Sequence, residues 1–409
     1  MSTVLHPGDA LSRKQRLVYI LVLGGLVALG PFTIDLYLPA LPVLRRDFGI
    51  AEGTAQLTLS ATIVGFALGQ LIVGPWSDKV GRRLPLILAT AVHIVACFAA
   101  TLAPDVTWLM VARVLQGIGA AGGGVVAMAM VRDLFGGKPL VRMLSRMALV
   151  TGLAPILAPL IGSQLLLFVD WRGIFGFLMG YGVFVILAVS FFVRETLPKE
   201  RTDDAGSSTV LQRYRNVFGD RIFVGVAIIG GFSFSGLFAY LAASPFIFQQ
   251  VYGLDAQQYG LLFAMNSLGV VIGTQVSARL IPRVGAQWVL AVTTSVQLLM
   301  AVAIILVVSA GLGLVALLVP LWFFIAACGF GFPCVQVLAL VNHGHEAGTA
   351  ASLLGAVNFG LAGVISPIVG FLGTETAVPM ATVMACTAVV SIVSIWCIVR
   401  PRTVPALAN

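Results

Sequence analysis

Twelve apolar runs, parted by short polar or basic connections, decide what this chain folds in. They cover residues of about 17–44, 54–76, 84–103, 106–131, 141–167 and 172–193, then 222–248, 257–281, 287–309, 312–336, 347–373 and 378–399. At ~1.5 Å rise per residue, each is long enough to cross the ~30 Å hydrocarbon core of a bilayer. Backbone polar groups in lipid must be satisfied within the segment, so the runs are read as helices. Hydrophobic residues make up 59% of the chain and charged residues 10%, against ~25% charged in a soluble domain. The net charge of +8 sits in short clusters between runs, which points to a membrane and away from nucleic acid. The expectation is an all-α membrane protein with twelve transmembrane helices.

The basic residues also orient the runs. Lys and Arg concentrate on one set of connections; the other set holds only Arg45, Arg46 and Arg172, and Arg113 lies within the fourth run. That bias predicts both termini in the cytoplasm. The basic start at Arg13, Lys14 and Arg16 precedes a run too long for a signal peptide and without a clear cleavage site, so this run is expected to stay as the first span. Residues 194–220 are polar and are read as a flexible cytoplasmic linker between six-helix halves at 1–193 and 221–409. The halves repeat: Gly65-x-x-x-Gly69 recurs as Gly269-x-x-x-Gly273, and Tyr37-Leu38-x-Ala40-x-Pro42 as Tyr240-Leu241-x-Ala243-x-Pro245, at nearly one offset. Val80-Gly81-Arg82 has a worn counterpart in Val284-Gly285. Two such halves form a transporter architecture with a midplane site between them.

Two charges lie inside spans. Asp35 interrupts the first run among Pro31, Pro39 and Pro42. A charge at that depth costs at least ~2.5 kcal/mol and normally faces protein or water, which makes it a functional candidate. Counted from Arg45 and from Asp105, Asp35 and Arg113 lie at matching depth, on helices that can face one cavity. Two readings stay open: an ion pair that holds the helices together, or a proton-titrating acid tuned by the guanidinium. The five cysteines all lie in apolar runs without metal-ligand spacing and are read as small buried thiols, with no metal site. His93, Gln297 and the methionines are read as structural.

The connection Gly74-Pro75-Trp76-Ser77-Asp78-Lys79-Val80-Gly81-Arg82-Arg83 carries a further acid in a basic setting. Gly81 permits a tight turn, and Arg82 and Arg83 anchor the interface. Asp78 is expected to meet the free N–H groups at the start of the eleventh span, near Gly348-Thr349, when that side is closed, with Arg82 or Asp133 holding it in place.

This loop resembles the signature loop of the major facilitator superfamily, Gly-x-x-x-Asp-x-x-Gly-Arg-Arg. Arg113-x-x-Gln116-Gly117-x-Gly119 is similar to the fourth-span motif of its drug/proton antiporters. Gly152-Leu-Ala-Pro155-Ile-Leu-Ala158-Pro159-Leu-Ile-Gly162 is similar to the fifth-span antiporter motif, with Ala158 and Ser163 where Gly is usual. Asp35-Leu-Tyr37-Leu-Pro39-Ala-Leu-Pro42 and Val131-Arg132-Asp133-Leu134-Phe135 resemble the Bcr/CflA multidrug exporters. Some relatives carry a second first-span acid; Gly24 to Leu29 here has none.

The resemblance implies the major facilitator fold and a multi-pass protein of the bacterial inner membrane, a monomer without cofactor that uses the proton gradient. It implies a cavity between the first, fourth, seventh and tenth spans. Tyr37, Gln116, Phe234, Phe238, Tyr240 and Trp322 would contact a small amphipathic drug, with Asn266 and Asn358 from neighbouring helices. Asp35 and Arg113 would couple protons. Gly74, Asp78, Gly81, Arg82, Arg83, Asp133, Pro155, Pro159 and Gly162 would belong to the conformational switch. The nearest rival is a proton-coupled transporter of a sugar, purine or amino acid. A polytopic membrane enzyme would need a cluster of His, Asp or Cys at the bilayer, and a receptor would need a signalling domain. No phosphate-binding loop is present to make ATP the energy source.

Overall fold

Several acidic residues between the apolar runs cap helix ends. The computed structural model describes residues 8, 11–197, 210–343 and 347–404. The spanning helices are α1 (Arg13–Asp35), α2 (Glu52–Val80), α3 (Arg83–Thr101), α4 (Val106–Leu134), α5 (Gly137–Leu165) and α6 (Trp171–Phe192), followed by α7 (Arg221–Phe246), α8 (Ala256–Val284), α9 (Ala286–Ser309), α10 (Gly313–Leu340), α11 (Ala347–Ile365) and α12 (Val378–Val393). The side chains of Asp105, Asp170, Asp220 and Asp255 accept from backbone N–H groups in the first turns of α4, α6, α7 and α8. These caps satisfy donors that lipid would not. Among the described residues, twelve helices, some with short extensions, are long and apolar enough to cross a membrane.

The first run is broken. α1 ends at Asp35, and a 3₁₀ turn (Leu38–Ala40) and a short helix (Leu41–Phe48) complete the crossing. Pro39 and Pro42 begin these two pieces, where a missing N–H costs nothing. The linker expectation needs correction: residues 198–209 lie outside the described residues, but Val210–Phe218 form a helix. Val217 is buried in the apolar core at the base of α7, so this part of the connection is packed rather than flexible.

The sequence repeat has a structural counterpart. A Cβ on Gly65 would overlap the Val114 carbonyl oxygen, and one on Gly117 the Thr62 carbonyl oxygen, so α2 and α4 cross at backbone contact. In the second half Gly273 lies on the Ala326 carbonyl and Gly329 on that of Val270, which brings α8 and α10 equally close. Small residues allow this approach where lipid provides no hydrophobic drive. Gly81 and Gly285 end α2 and α8 at φ +101° and +91°, a region that only glycine enters without strain.

The halves meet along α5 against α8 and along α2 against α11. The second contact is an antiparallel seam of small residues. Gly53 faces Gly370, just past α11; Ser60 bonds Ser366; Val64 meets Gly363; Phe66 stacks on Phe359; Gln70 meets Gly355; and Gly74 approaches Ser352. Each step along α2 is matched by an equal step back along α11.

The buried core shows where the halves join. On the side remote from the termini, one cluster draws residues from both halves. On the terminal side the core splits into two clusters, whose buried members each come from one half. Two polar bonds across the halves add to the remote closure: Gln249 Nε2 donates to the Pro39 carbonyl at 3.1 Å, and Arg45 to Gln250 Oε1 at 3.2 Å. The bundle is closed on the remote side and parted towards the termini.

Candidate functional site

Proline and the end of α1 place Asp35 at the junction of the halves. The residue is 5% exposed, and no salt bridge to it forms among the described residues. The 3₁₀ turn that follows it, Leu38–Ala40, packs against α7 and α8 of the other half, which carry Tyr240 and Tyr259. Tyr240 accepts from Asn266 Nδ2 at 2.9 Å, and Tyr259 shares a 2.9 Å bond with Ser244. Asp35 thus lies, without a salt-bridge partner among the described residues, in the stretch where the core draws on both halves.

Of the two open readings, the ion pair with Arg113 is not formed among the described residues. Arg113 is fully buried and turns into the first half. It donates to the Thr33 carbonyl at 3.0 Å and to Gln116 Oε1 at 2.5 Å, and lies 4.2 Å over the Tyr37 ring and 5.4 Å from that of Phe175. Gln116 in turn donates to Cys97 Sγ at 3.0 Å, and Tyr37 bonds Thr58 at 2.6 Å. Tyr37 and Gln116, expected to line the cavity, are therefore packed around the guanidinium inside one half. Arg113 reaches the α1 backbone two residues before Asp35, so it sets the position of the acid rather than neutralising it. Because the contacts use the planar face and fork of the guanidinium, Arg113→Lys is expected to lower transport at least about tenfold at unchanged charge. A dose–response of efflux rate against expression level checks this; parental rates would reduce Arg113 to a point charge.

The aromatic candidates separate into two places. Phe234 lies 4.8 Å from Phe238, 5.0 Å from Phe359 and 5.9 Å from Phe332, and Phe359 stacks at 5.2 Å on Phe66 of the first half. Asn358 precedes Phe359 in α11; its buried Oδ1 has no hydrogen-bond partner among the described residues and lies against Gly230 of α7. An unpaired buried acceptor costs about 1–3 kcal/mol, which a donor on a ligand would recover. Trp322 is elsewhere: it faces outward between α8 and α10 and donates to the Met265 carbonyl at 3.2 Å. It does not line the junction of the halves.

The switch candidates form two groups. At the terminal side, Arg82 is 4% exposed and donates to Asp133 at 2.8 Å, to Ser77 at 2.9 Å and to Asp78. The Asp78 side chain is still 65% exposed. Running the seam past Gly74 and Ser352 brings Asp78 level with Gly348, but a Cβ there would meet nothing within 4 Å. Among the described residues no bond joins Asp78 to the start of α11 in this terminally parted state, and Arg82 holds the acid instead. Farther along, Gly162 lies against the Leu36 carbonyl, next to Asp35. Ser267 of α8 reaches the Pro155 carbonyl at 3.4 Å, and the carbonyl of Pro159 lies 3.0 Å from the Cβ position of Gly260. The fifth-span motif thus packs α5 on both the acid-bearing segment and the opposite half.

Sequence reasoning missed Glu195. Its carboxylate accepts from the backbone N–H groups of Arg82 and Arg83 at 2.8 and 3.0 Å, directly beneath Gly81, while Arg83 reaches back to the Ser190 carbonyl at 2.7 Å. Burial alone would raise its pKa, but the N–H groups of Arg82, Arg83, Leu197 and Thr196 together hold it below the usual carboxylate range. Its only sequence signal was an acid inside the basic stretch at Arg194. Phe66, Phe332, Phe359 and Tyr259 were also missed.

A twelve-helix bundle of two repeated halves, parted on one side and joined around a lone acid, is an alternating-access membrane transporter. A family model described as Major Facilitator Superfamily matches residues 21–367, and the chain belongs to that family. Among its relatives is an uncharacterized MFS-type transporter, YdgK, of Bacillus subtilis, 34% identical over 95% of this chain and 97% of that one. A bicyclomycin resistance protein homolog of Haemophilus influenzae is 29% identical over 94% and 96% of the two chains. Multidrug resistance protein D of Escherichia coli is 28% identical over 88% and 91%. Among solved structures, a D-xylose-proton symporter superposes with TM-score 0.76 at 16% identity, covering 97% of this chain and all (100%) of that one. A bacterial homolog of the lysosomal transporter Spinster, inward-facing and unoccupied, gives 0.73 at 16%, covering 94% and 96%. These two establish the fold alone.

Proposed function

We propose that this transporter exports small amphipathic toxic compounds from the bacterial cytoplasm in exchange for protons. The observation that carries the reading is the position of Asp35, without a counter-ion and facing the opposite half. The full-length resemblance to resistance proteins supports the export direction and the drug-like substrate class. Both termini and the parted side face the cytoplasm in this reading, so the structure corresponds to an inward-open state. The protein acts as a monomer, needs no cofactor and catalyses no covalent chemistry.

The phenylalanine group around Asn358 is the substrate surface: aromatic faces take flat apolar or cationic bodies, and the Asn358 acceptor takes one donor. Substrate binding there and proton binding at Asp35 both act on the junction, so each state of the acid favours a different closure. A panel of growth-inhibition assays with and without the protein, repeated with Asn358→Leu, tests the reading. Resistance to several unrelated amphiphiles that Asn358→Leu narrows is expected; no change in susceptibility to any compound would overturn it.

The seam register gives a prediction about switching. On cytoplasmic closure Asp78 comes level with the N-terminus of α11, whose free N–H groups favour an anion by ~1–2 kcal/mol. Asp78→Asn is therefore expected to shift the population towards inward-open and slow turnover. Spin-label distances across the cytoplasmic face measure it, and unchanged distributions alongside lost transport would refute the contact.

A further inference from the structure

The second half carries a side pocket with a polar side chain in its wall. Between α8 and α10, Leu262, Met265, Asn266, Leu318, Val319 and Trp322 line an open pocket of about 280 Å³. It opens away from the junction of the halves: Met265 is 54% and Val319 56% exposed on the outer face of the bundle, which on a spanning helix is the lipid face. Asn266 lies ten residues into α8, about 15 Å from its start on the side remote from the termini.

Asn266 sets this pocket apart from an ordinary groove for lipid tails. It is 4% exposed, and its Nδ2 is used by Tyr240. Its Oδ1 accepts no hydrogen bond from the described residues, although it belongs to the pocket lining. A side chain with one half satisfied and the other left as an acceptor in apolar surroundings is costly unless a donor meets it. The pocket also ends in a polar contact, from Asn266 to the Tyr240 hydroxyl of α7.

The geometry points to a second ligand site here, open to the bilayer, for a membrane-dissolved amphiphile with a flat or branched apolar body and one donor (a hydroxyl, an amide N–H or an ammonium). The body fills the space between Trp322 and Val319, and the donor bonds Asn266 Oδ1. A lipid tail fills the same volume but leaves the acceptor unmet. The site is distinct from the phenylalanine surface at the junction and does not depend on the reading of Asp35 as the proton carrier.

Trp322 in the wall supplies the probe. In nanodiscs, 4-bromobenzyl alcohol is expected to quench tryptophan fluorescence saturably, and Trp322→Phe to abolish the saturable part. At equal membrane concentration 4-bromotoluene, which lacks the donor, should bind about tenfold more weakly, as should the alcohol with Asn266→Leu. Val319→Phe, which fills the cavity without touching Asn266, should remove saturable quenching by both probes. Equal affinity for the two bromoarenes, or quenching indifferent to both Asn266→Leu and Val319→Phe, would show a groove for lipid tails and overturn the site. The readout is binding, so it stands whatever the fate of transport.

Discussion

Asp35→Asn is expected to reduce proton-driven efflux to the background of empty vesicles while the protein inserts at parental yield. Asparagine keeps the shape of the side chain beside Tyr240 and Tyr259 but can neither take up nor release a proton. The structure adds a second expectation. Among the described residues the carboxylate forms no ion pair, and an unpaired charge within a span costs at least ~2.5 kcal/mol. Removing that charge should leave thermal stability equal or higher. Substrate-driven alkalinisation of acidified vesicles and a melting curve are the two measurements. Persistent alkalinisation would place the proton elsewhere, and a fall in melting temperature would show that the carboxylate has a stabilising partner.

Gly162→Ala is expected to have the second large effect. A Cβ at this position would overlap the Leu36 carbonyl oxygen, which is backbone and has no rotamer by which to withdraw. Overpacking of this kind costs about 1–3 kcal/mol, and here the displaced segment is the one that carries Asp35. Both stability and transport should fall. Gly124→Ala is the control, because a Cβ there would meet nothing within 4 Å. Equal behaviour of the two variants would mean that α5 does not depend on close contact with α1.

The fold was legible because lipid leaves few options. Run lengths were enough for twelve helices, and Gly273 of the recurring Gly65-x-x-x-Gly69 pattern meets a facing helix's carbonyl as Gly69 does. The site was legible only in part. Asp35 stood out because charge is costly at its depth. Depth, however, does not give azimuth: Arg113 matches Asp35 in depth yet faces Thr33 and Tyr37, and Gln116, one turn on, faces Cys97. Phe66, Phe332 and Phe359 were hidden among 25 phenylalanines, since no spacing separates a binding face from a lipid face. Glu195 was invisible because its partners, Arg82 and Arg83, lie more than a hundred residues earlier.

The α2–α11 seam bears on the energy of the transport cycle. Its paired small residues continue in one register from Gly53 to Gly74, and that register would bring Asp78 to Gly348. Two surfaces built this way can roll like a curved sole on a floor: contact surrendered at one end is regained at the other, and the area hidden from lipid stays nearly constant. The pivot then travels along the helix pair instead of sitting at a fixed hinge. Inward- and outward-open forms related in this way would differ little in the area they bury. A ligand that prefers one form tenfold, worth about 1.4 kcal/mol, then shifts the balance between the two forms by that factor.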